Sequence, residues 1–246
     1  MALPALDAAT PTPGAPEKAV VRSMFDRIAP RYDLLNRLLS AGTDLRWRRA
    51  CVDALALSPP AHVLDLCTGT ADLLIEALGR GARLSGVGVD LSGEMLRRGR
   101  RKLAAQGFAG RAALASGDVE QLPFRDASFD AALVAFGIRN VGDPLLALRE
   151  AHRALRPGGR LAVLEFSMPR GLLGAGYRLY FRHLLPWVGG FVSGDAGAYA
   201  YLPASVARFP APQDFGRLLE AAGFVSVAWT SLTGGIAHVY RGEHAA

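Results

Sequence analysis

His62-Val63-Leu64-Asp65-Leu66-Cys67-Thr68-Gly69-Thr70-Ala71-Asp72-Leu73-Leu74-Ile75 decides the fold. An apolar run from His62 to Leu66 gives way to a turn of small residues, and apolar residues then recur at helical spacing from Asp72 to Leu78. Leu84 to Val89 is a second apolar strand, and strand, helix, strand in that order calls for a parallel pair joined by a crossover. The alternation continues through a helix at Gly93 to Gln106, strands at Ala112 to Ser116 and Phe129 to Ala135, and a helix at Pro144 to Leu155. After the turn Pro157-Gly158-Gly159, read as a stop and restart, come a strand at Arg160 to Phe166, a helix at Pro212 to Ala222, and strands at Val225 to Ser231 and Gly235 to Arg241. The expected fold class is α/β, a doubly wound, seven-stranded, mostly parallel sheet.

Upstream, Val20 to Ala29 and Tyr32 to Leu57 carry apolar residues at helical spacing, separated by Pro30, so residues 18–60 are expected to form a helical cap. Residues 1–17, rich in Ala, Pro and Thr, read as a disordered tail without the basic start and apolar core of a signal peptide. One domain is expected over 18–246. Within it, 171–205 reads as an inserted segment on the substrate side. Leu172 to Val192 is too broken and charged to span a bilayer, and it suits either a lid over an apolar ligand or ordinary core helices.

Lys and Arg outnumber Asp and Glu by 28 − 22, a net charge of +6, part of it in the run Arg97, Arg98, Arg100, Arg101 and Lys102, read as a solvated helix face. Charge alone assigns no nucleic-acid partner. The two cysteines, Cys51 and Cys67, lack metal-ligand spacing, which points to a reduced, cytoplasmic setting and to no metal site.

Ligands of open α/β sheets bind beyond the carboxyl ends of the strands, where the turn Cys67 to Asp72 falls. Gly69 and Ala71 leave no bulk between backbone and ligand. The turn lacks the three-glycine dinucleotide fingerprint, and Asp65 and Asp72 would repel a pyrophosphate, so a ligand carrying positive charge fits better. Asp72 is alternatively a helix cap. Asp90, ending the second strand, suits two ribose hydroxyls, the alternative being a cap for the helix that starts near Ser92. Asp118 suits an adenine amino group and Val119 its ring face.

Together with Phe136-Gly137-Ile138-Arg139-Asn140-Val141, Leu164-Glu165-Phe166-Ser167-Met168-Pro169, Met24-Phe25-Asp26-Arg27-Ile28-Ala29-Pro30-Arg31-Tyr32-Asp33 and Tyr201-Leu202-Pro203-Ala204-Ser205, these pieces resemble the ubiquinone/menaquinone biosynthesis C-methyltransferases, a branch of the Rossmann-like class I methyltransferases. The resemblance runs from about Val20 to the end. It implies S-adenosyl-L-methionine as cofactor, S-adenosyl-L-homocysteine as product, and cofactor contacts at Thr70, Asp90, Asp118, Val119 and Ala135. Many relatives have Ser at the last position, and Ala135 offers no side-chain hydrogen bond. Thr70-Ala71-Asp72, where other members have Thr-Gly-Asp, is similar to menaquinone-pathway members.

The implied acceptor is a polyprenyl quinol, demethylmenaquinol or a benzoquinol. It must be reduced, because a hydroquinone losing its phenolic proton pushes electron density onto the neighbouring carbon. Arg139 is a candidate to stabilise the phenolate and Asn140 to orient its oxygen, the alternative for Arg139 being a structural ion pair. Tyr32, Asp33 and His238 are further candidates near the site. The polyprenyl tail is expected to enter around Tyr177 to Trp187, with transient contact at the inner face of the membrane, and the chain is compatible with a homodimer.

Overall fold

The computed structural model describes residues 17–169 and 196–246, together with Gly174, with side chains omitted over 196–200. Three helices come first: α1 (Lys18–Ile28), α2 (Tyr32–Leu39) and α3 (Thr43–Asp53). The expected single run from Tyr32 to Leu57 is thus broken. Gly42 lies at φ +75°, and its N–H donates to the Arg37 carbonyl at 2.9 Å. That left-handed cap closes α2 and lets α3 restart in a new direction, which the apolar spacing alone does not reveal.

The sheet follows: β1 (Ala61–Leu66), α4 (Asp72–Leu78), β2 (Leu84–Asp90), α5 (Gly93–Ala105), β3 (Ala112–Ser116), β4 (Phe129–Ala135), α6 (Pro144–Ala154) and β5 (Leu155–Phe166). Then come α7 (Ala196–Arg208), α8 (Pro212–Ala221), β6 (Val225–Leu232) and β7 (Ala237–Glu243). The strand order is β3-β2-β1-β4-β5-β7-β6, a seven-stranded sheet in which β7 runs antiparallel to β5 and β6 and the other pairs are parallel. The chain starts in the middle at β1, winds outward to β3, and returns to β4 on the other side of β1. That reversal opens a crevice beyond the carboxyl ends of β1 and β4.

Two apolar layers sandwich the central strands. Leu64, Leu66, Val134 and Val163 face α6 and α8 through Leu148, Ala151, Phe215 and Leu219. Val63, Leu133, Ala162 and Leu164 face Trp47, Cys51, Val52 and Leu73 of α3 and α4. The cap is therefore part of one core layer. Helix starts are set by short polar side chains: Ser92 Oγ accepts from Met95 N, and Asp143 Oδ1 accepts from Leu145 N and Leu146 N with Pro144 in the first turn.

The predicted stop at Pro157-Gly158-Gly159 is instead a bulge within β5. Pairing with β4 jumps from Phe129↔Leu155 to Ala131↔Arg160, Gly158 sits at φ +79°, and Gly158 N donates to His244 O at 2.9 Å. Glycine ends a helix at one site and kinks a strand at another, and only the neighbouring strand decides which. The lid expected over Leu172 to Val192 and the tail entry at Tyr177 to Trp187 lie outside the described residues. Among the described residues no helix is long and apolar enough to cross a membrane.

Candidate active site

The turn after β1 is strained and internally bonded. Cys67 and Ala71 lie at φ +50° and +66°, and Phe136, after β4, at φ +57°. Such values in residues with a Cβ concentrate where surrounding structure enforces a shape. Three N–H groups of the turn are already spent: Thr68 N on Val89 O, Gly69 N on Asp90 Oδ2 at 2.8 Å, and Ala71 N on Thr68 O. A phosphate cradle needs such groups free, so the turn is unsuited to a pyrophosphate for a reason beyond its acids. Gly69, at φ +54°, has nothing among the described residues within 4 Å of where a Cβ would stand.

Beyond the strand ends lies a pocket of about 690 Å³ of empty space, part of it open to solvent. Gly69, Asp90, Asp118, Val119, Ala135 and Asn140, all predicted site residues, line it, and α1 closes it with Val21, Arg22 and Phe25. A smaller recess of about 300 Å³ shares Tyr32, Cys67, Gly69 and Ala135 with the first and adds Arg48, Asp65, Thr70 and Asp72. The predicted cofactor residues thus divide between two adjoining spaces. Arg139 lines neither of these two.

Each carboxylate has a distinct environment. Asp90 is held by the N–H groups of Gly69 and Ser92, each at 2.8 Å, and burial pushes its carboxyl above the usual range. Ser92, not Asp90, caps α5. Asp65 is 1% exposed and accepts from Thr68 Oγ1 at 2.6 Å, and burial pushes it up to about 7 against the opposing pull of that bond and of Arg48. Asp72 caps nothing: Ala71 holds the cap position of α4, and the Asp72 carboxylate accepts from Lys102 Nζ and faces Arg48. Asp118 accepts from Lys18 Nζ at 2.6 Å and from Glu120 N at 3.0 Å. A carboxylate has about four lone-pair sites, so these two bonds leave Asp118 with capacity for a further donor.

The spaced motifs converge on the same place. Asp33 accepts from Thr70 Oγ1 at 2.6 Å and from Lys102 at 2.8 Å, and Asp26 accepts from Ser92 Oγ, so the early helical motif ties the cap to both turns. Arg139 Nη1 donates to Glu165 Oε1 at 2.7 Å and to Phe136 O, and its Nε donates to Ser205 Oγ at 3.3 Å. Tyr201 donates to Asn140 Oδ1 at 3.1 Å. Glu165 is fully buried, and burial raises its carboxyl despite the adjacent guanidinium. These contacts support the ion-pair alternative for Arg139, while Asn140 reaches the main pocket. His238 pairs in register with Glu165 across β5 and β7, is 7% exposed, and lines neither space.

Sequence reasoning missed Lys18, Glu120 and Arg48, which act through partners far along the chain. It also misread Lys102, the last member of the basic run, which points into the site between Asp33 and Asp72. Arg97 and Arg98 pair with Glu94, as a surface face would. Among the described residues no group of three or more metal-ligating side chains is found.

Comparison with known proteins finds relatives along most of the chain. The demethylmenaquinone methyltransferase of Thermus thermophilus is 49% identical over 221 residues, covering 89% of this chain and 99% of its own. The ubiquinone/menaquinone biosynthesis C-methyltransferase UbiE of Syntrophotalea carbinolica is 51% identical over 222 residues, covering 90% of this chain and 92% of its own. Among solved structures, a methyltransferase of Thermotoga maritima, described as a possible histamine N-methyltransferase, superposes with a TM-score of 0.64 at 22% identity, covering 91% of this chain and 99% of its own, which supports the fold. The ubiE/COQ5 methyltransferase family model matches residues 14–244, and the chain belongs to that family.

Proposed function

We propose that the protein transfers a methyl group from S-adenosylmethionine to a ring carbon of a reduced polyprenyl naphthoquinol, converting demethylmenaquinol to menaquinol. The observation that carries this reading is a single pocket in which the ribose-type acid Asp90 and the motif residue Asn140 both stand, in a chain about half identical to a demethylmenaquinone methyltransferase. The residues present fit the cofactor. Asp90 suits the ribose, Asp118 and Val119 the adenine, Gly69 leaves the close approach open, and Asp65, Thr70 and Asp72 flank the far end.

S-adenosylmethionine supplies an activated methyl group on its sulfonium, and the protein's own contribution is orientation and exclusion of water. Asn140 and Tyr201, joined by a hydrogen bond, are placed to orient the acceptor hydroxyl. Arg139 Nη1 donates to the same Phe136 O as Asn140 Nδ2, so its guanidinium stands beside that pair and favours the phenolate. Phe25 and Met95 give the pocket an apolar wall for the rings. The polyprenyl tail, transient membrane contact and a homodimer belong to this reading, as do a single domain over 18–246 and a substrate-side segment over 171–205.

The direct test supplies the purified protein with methyl-labelled S-adenosylmethionine and either demethylmenaquinol or a polyprenyl benzoquinol, each kept reduced. Label in menaquinol is the expected outcome. Label in the benzoquinol alone moves the protein to ubiquinone synthesis, and label in neither overturns the reading.

A further inference from the structure

Leu34 and Leu38 stand one turn apart on α2, and they are 61% and 54% exposed. Leu35 turns inward and is buried with Met24 and Met95. The helix thus shows a second apolar stripe, on the side that its own fold does not use. Charge of one sign flanks that stripe. Arg31 precedes the helix, and Arg37 adjoins Leu38, its guanidinium 3.6 Å from Asp44 of α3 with about half of its side chain exposed. The one acid of α2, Asp33, is engaged by Thr70 and Lys102.

The same asymmetry extends over the cap. Arg22, Arg27, Arg31, Arg37, Arg46 and Arg49 are exposed, whereas of the acids in α1 to α3 only Asp53 is, and it lies 2.9 Å from Arg80. The others face inward: Asp26 accepts from Ser92, Asp33 from Thr70, and the buried Asp44 from Ser40. Exposed leucines within a positive exterior complement an anionic lipid surface, where leucine enters the acyl boundary and arginine meets the phosphates. The place is also right for the acceptor. Tyr32, the first residue of α2, lines both spaces of the site, and Leu35 packs with Met95 on the main pocket wall. Resting on lipid through α2 would hold that pocket one helix diameter, about 10 Å, from the bilayer that retains a polyprenyl tail.

We infer that the outer face of α2, Leu34 and Leu38 with the arginines around them, docks the protein on an anionic bilayer; this rests on the reading of the acceptor as a polyprenyl quinol. The cap then has two faces with separate tasks. Its inner face closes the pocket, and its outer face brings the pocket to the membrane.

Sedimentation with vesicles tests the docking without any acceptor. The unaltered protein is expected to bind vesicles of equal parts phosphatidylcholine and phosphatidylglycerol, to leave them as salt rises, and to ignore vesicles of phosphatidylcholine alone. Replacing both leucines, Leu34→Ser with Leu38→Ser, should lower the partition coefficient about tenfold, and Arg37→Gln about fivefold. No binding of the unaltered protein to the anionic vesicles would overturn the proposal with no variant having to fold. So would equal binding by the double leucine variant, or an unaltered chain that sediments as a dimer and becomes a monomer in that variant, which gives the face to a second copy. Methyl transfer separates this from the functional reading. The double variant should match the unaltered protein on a tail-less, water-soluble quinol and lose about tenfold in kcat/KM on a long-tailed quinol held in the anionic vesicles. Equal losses on both acceptors would make the leucines part of the site and overturn the docking. Transfer by the unaltered protein to neither acceptor defeats the functional reading, while vesicle binding still decides the docking face.

Discussion

Glu165 and Arg139 show how a single buried pair sets the behaviour of a site. Their side chains are 0% and 7% exposed, so deleting one partner strands the other's charge. Glu165→Gln is expected to cost about 3 kcal/mol of unfolding free energy, and adding Arg139→Met should recover much of it, a coupling that urea titrations of the four proteins would measure. Additive losses would mean that the two charges do not depend on each other. Asp65 gives a pH signature. Its folded carboxyl is raised from 3.8 to about 7, so the folded state binds the proton more tightly than the unfolded chain. Stability from this group is therefore present at low pH and lost as pH rises between those two values, by up to about 1.4 kcal/mol per unit. Asp65→Asn should flatten the fall in stability over that window in ligand-free protein, and an unchanged pH profile would contradict the assignment. Gly137 is a steric case: a Cβ there would overlap the Cβ of Cys67, so Gly137→Ala should shift the floor of the pocket and weaken S-adenosylhomocysteine binding, read by titration.

At the scale of elements, the sheet was legible because its strands are apolar runs separated by recognisable turns. β3, β4 and α4 lie where the pattern places them, and the acids at the ends of β1 and β2 stand at strand tips. What was not legible depended on partners remote in sequence. Arg48 and Asp72, or Lys18 and Glu120, leave no periodic trace, since nothing local distinguishes a lysine that salts a distant acid from one facing water. The break at Gly42 and the bulge at Gly158 were invisible for a related reason: a glycine permits a left-handed turn, but only the neighbouring element requires it. α2 provides a test at this scale. Asp33→Ala removes the acceptor for Thr70 and Lys102 but is a half-exposed contact, so thermal stability should change by less than about 1 kcal/mol. Affinity for S-adenosylhomocysteine should fall severalfold if the cap organises the recess, and an unaltered affinity would detach α2 from the site.

For the whole molecule, the pocket is shared between two bodies of sequence: the sheet, which presents strand tips, and the helices ahead of it, which supply Phe25, Tyr32 and the wall that closes over them. The first helix is fastened at its start by Lys18, whose ammonium lies 2.6 Å from Asp118 and 2.7 Å from Glu120 with 42% of the side chain exposed. A fastening so open to solvent responds to dissolved ions. Raising the salt concentration should quicken tryptic cutting after Arg22 and Arg27, and S-adenosylhomocysteine should slow it, a digestion followed by mass spectrometry. The practical corollary concerns handling: Lys18 itself lines the pocket, so a tag fused close ahead of it is expected to change the affinity for S-adenosylhomocysteine, a comparison of tagged and untagged preparations being the check.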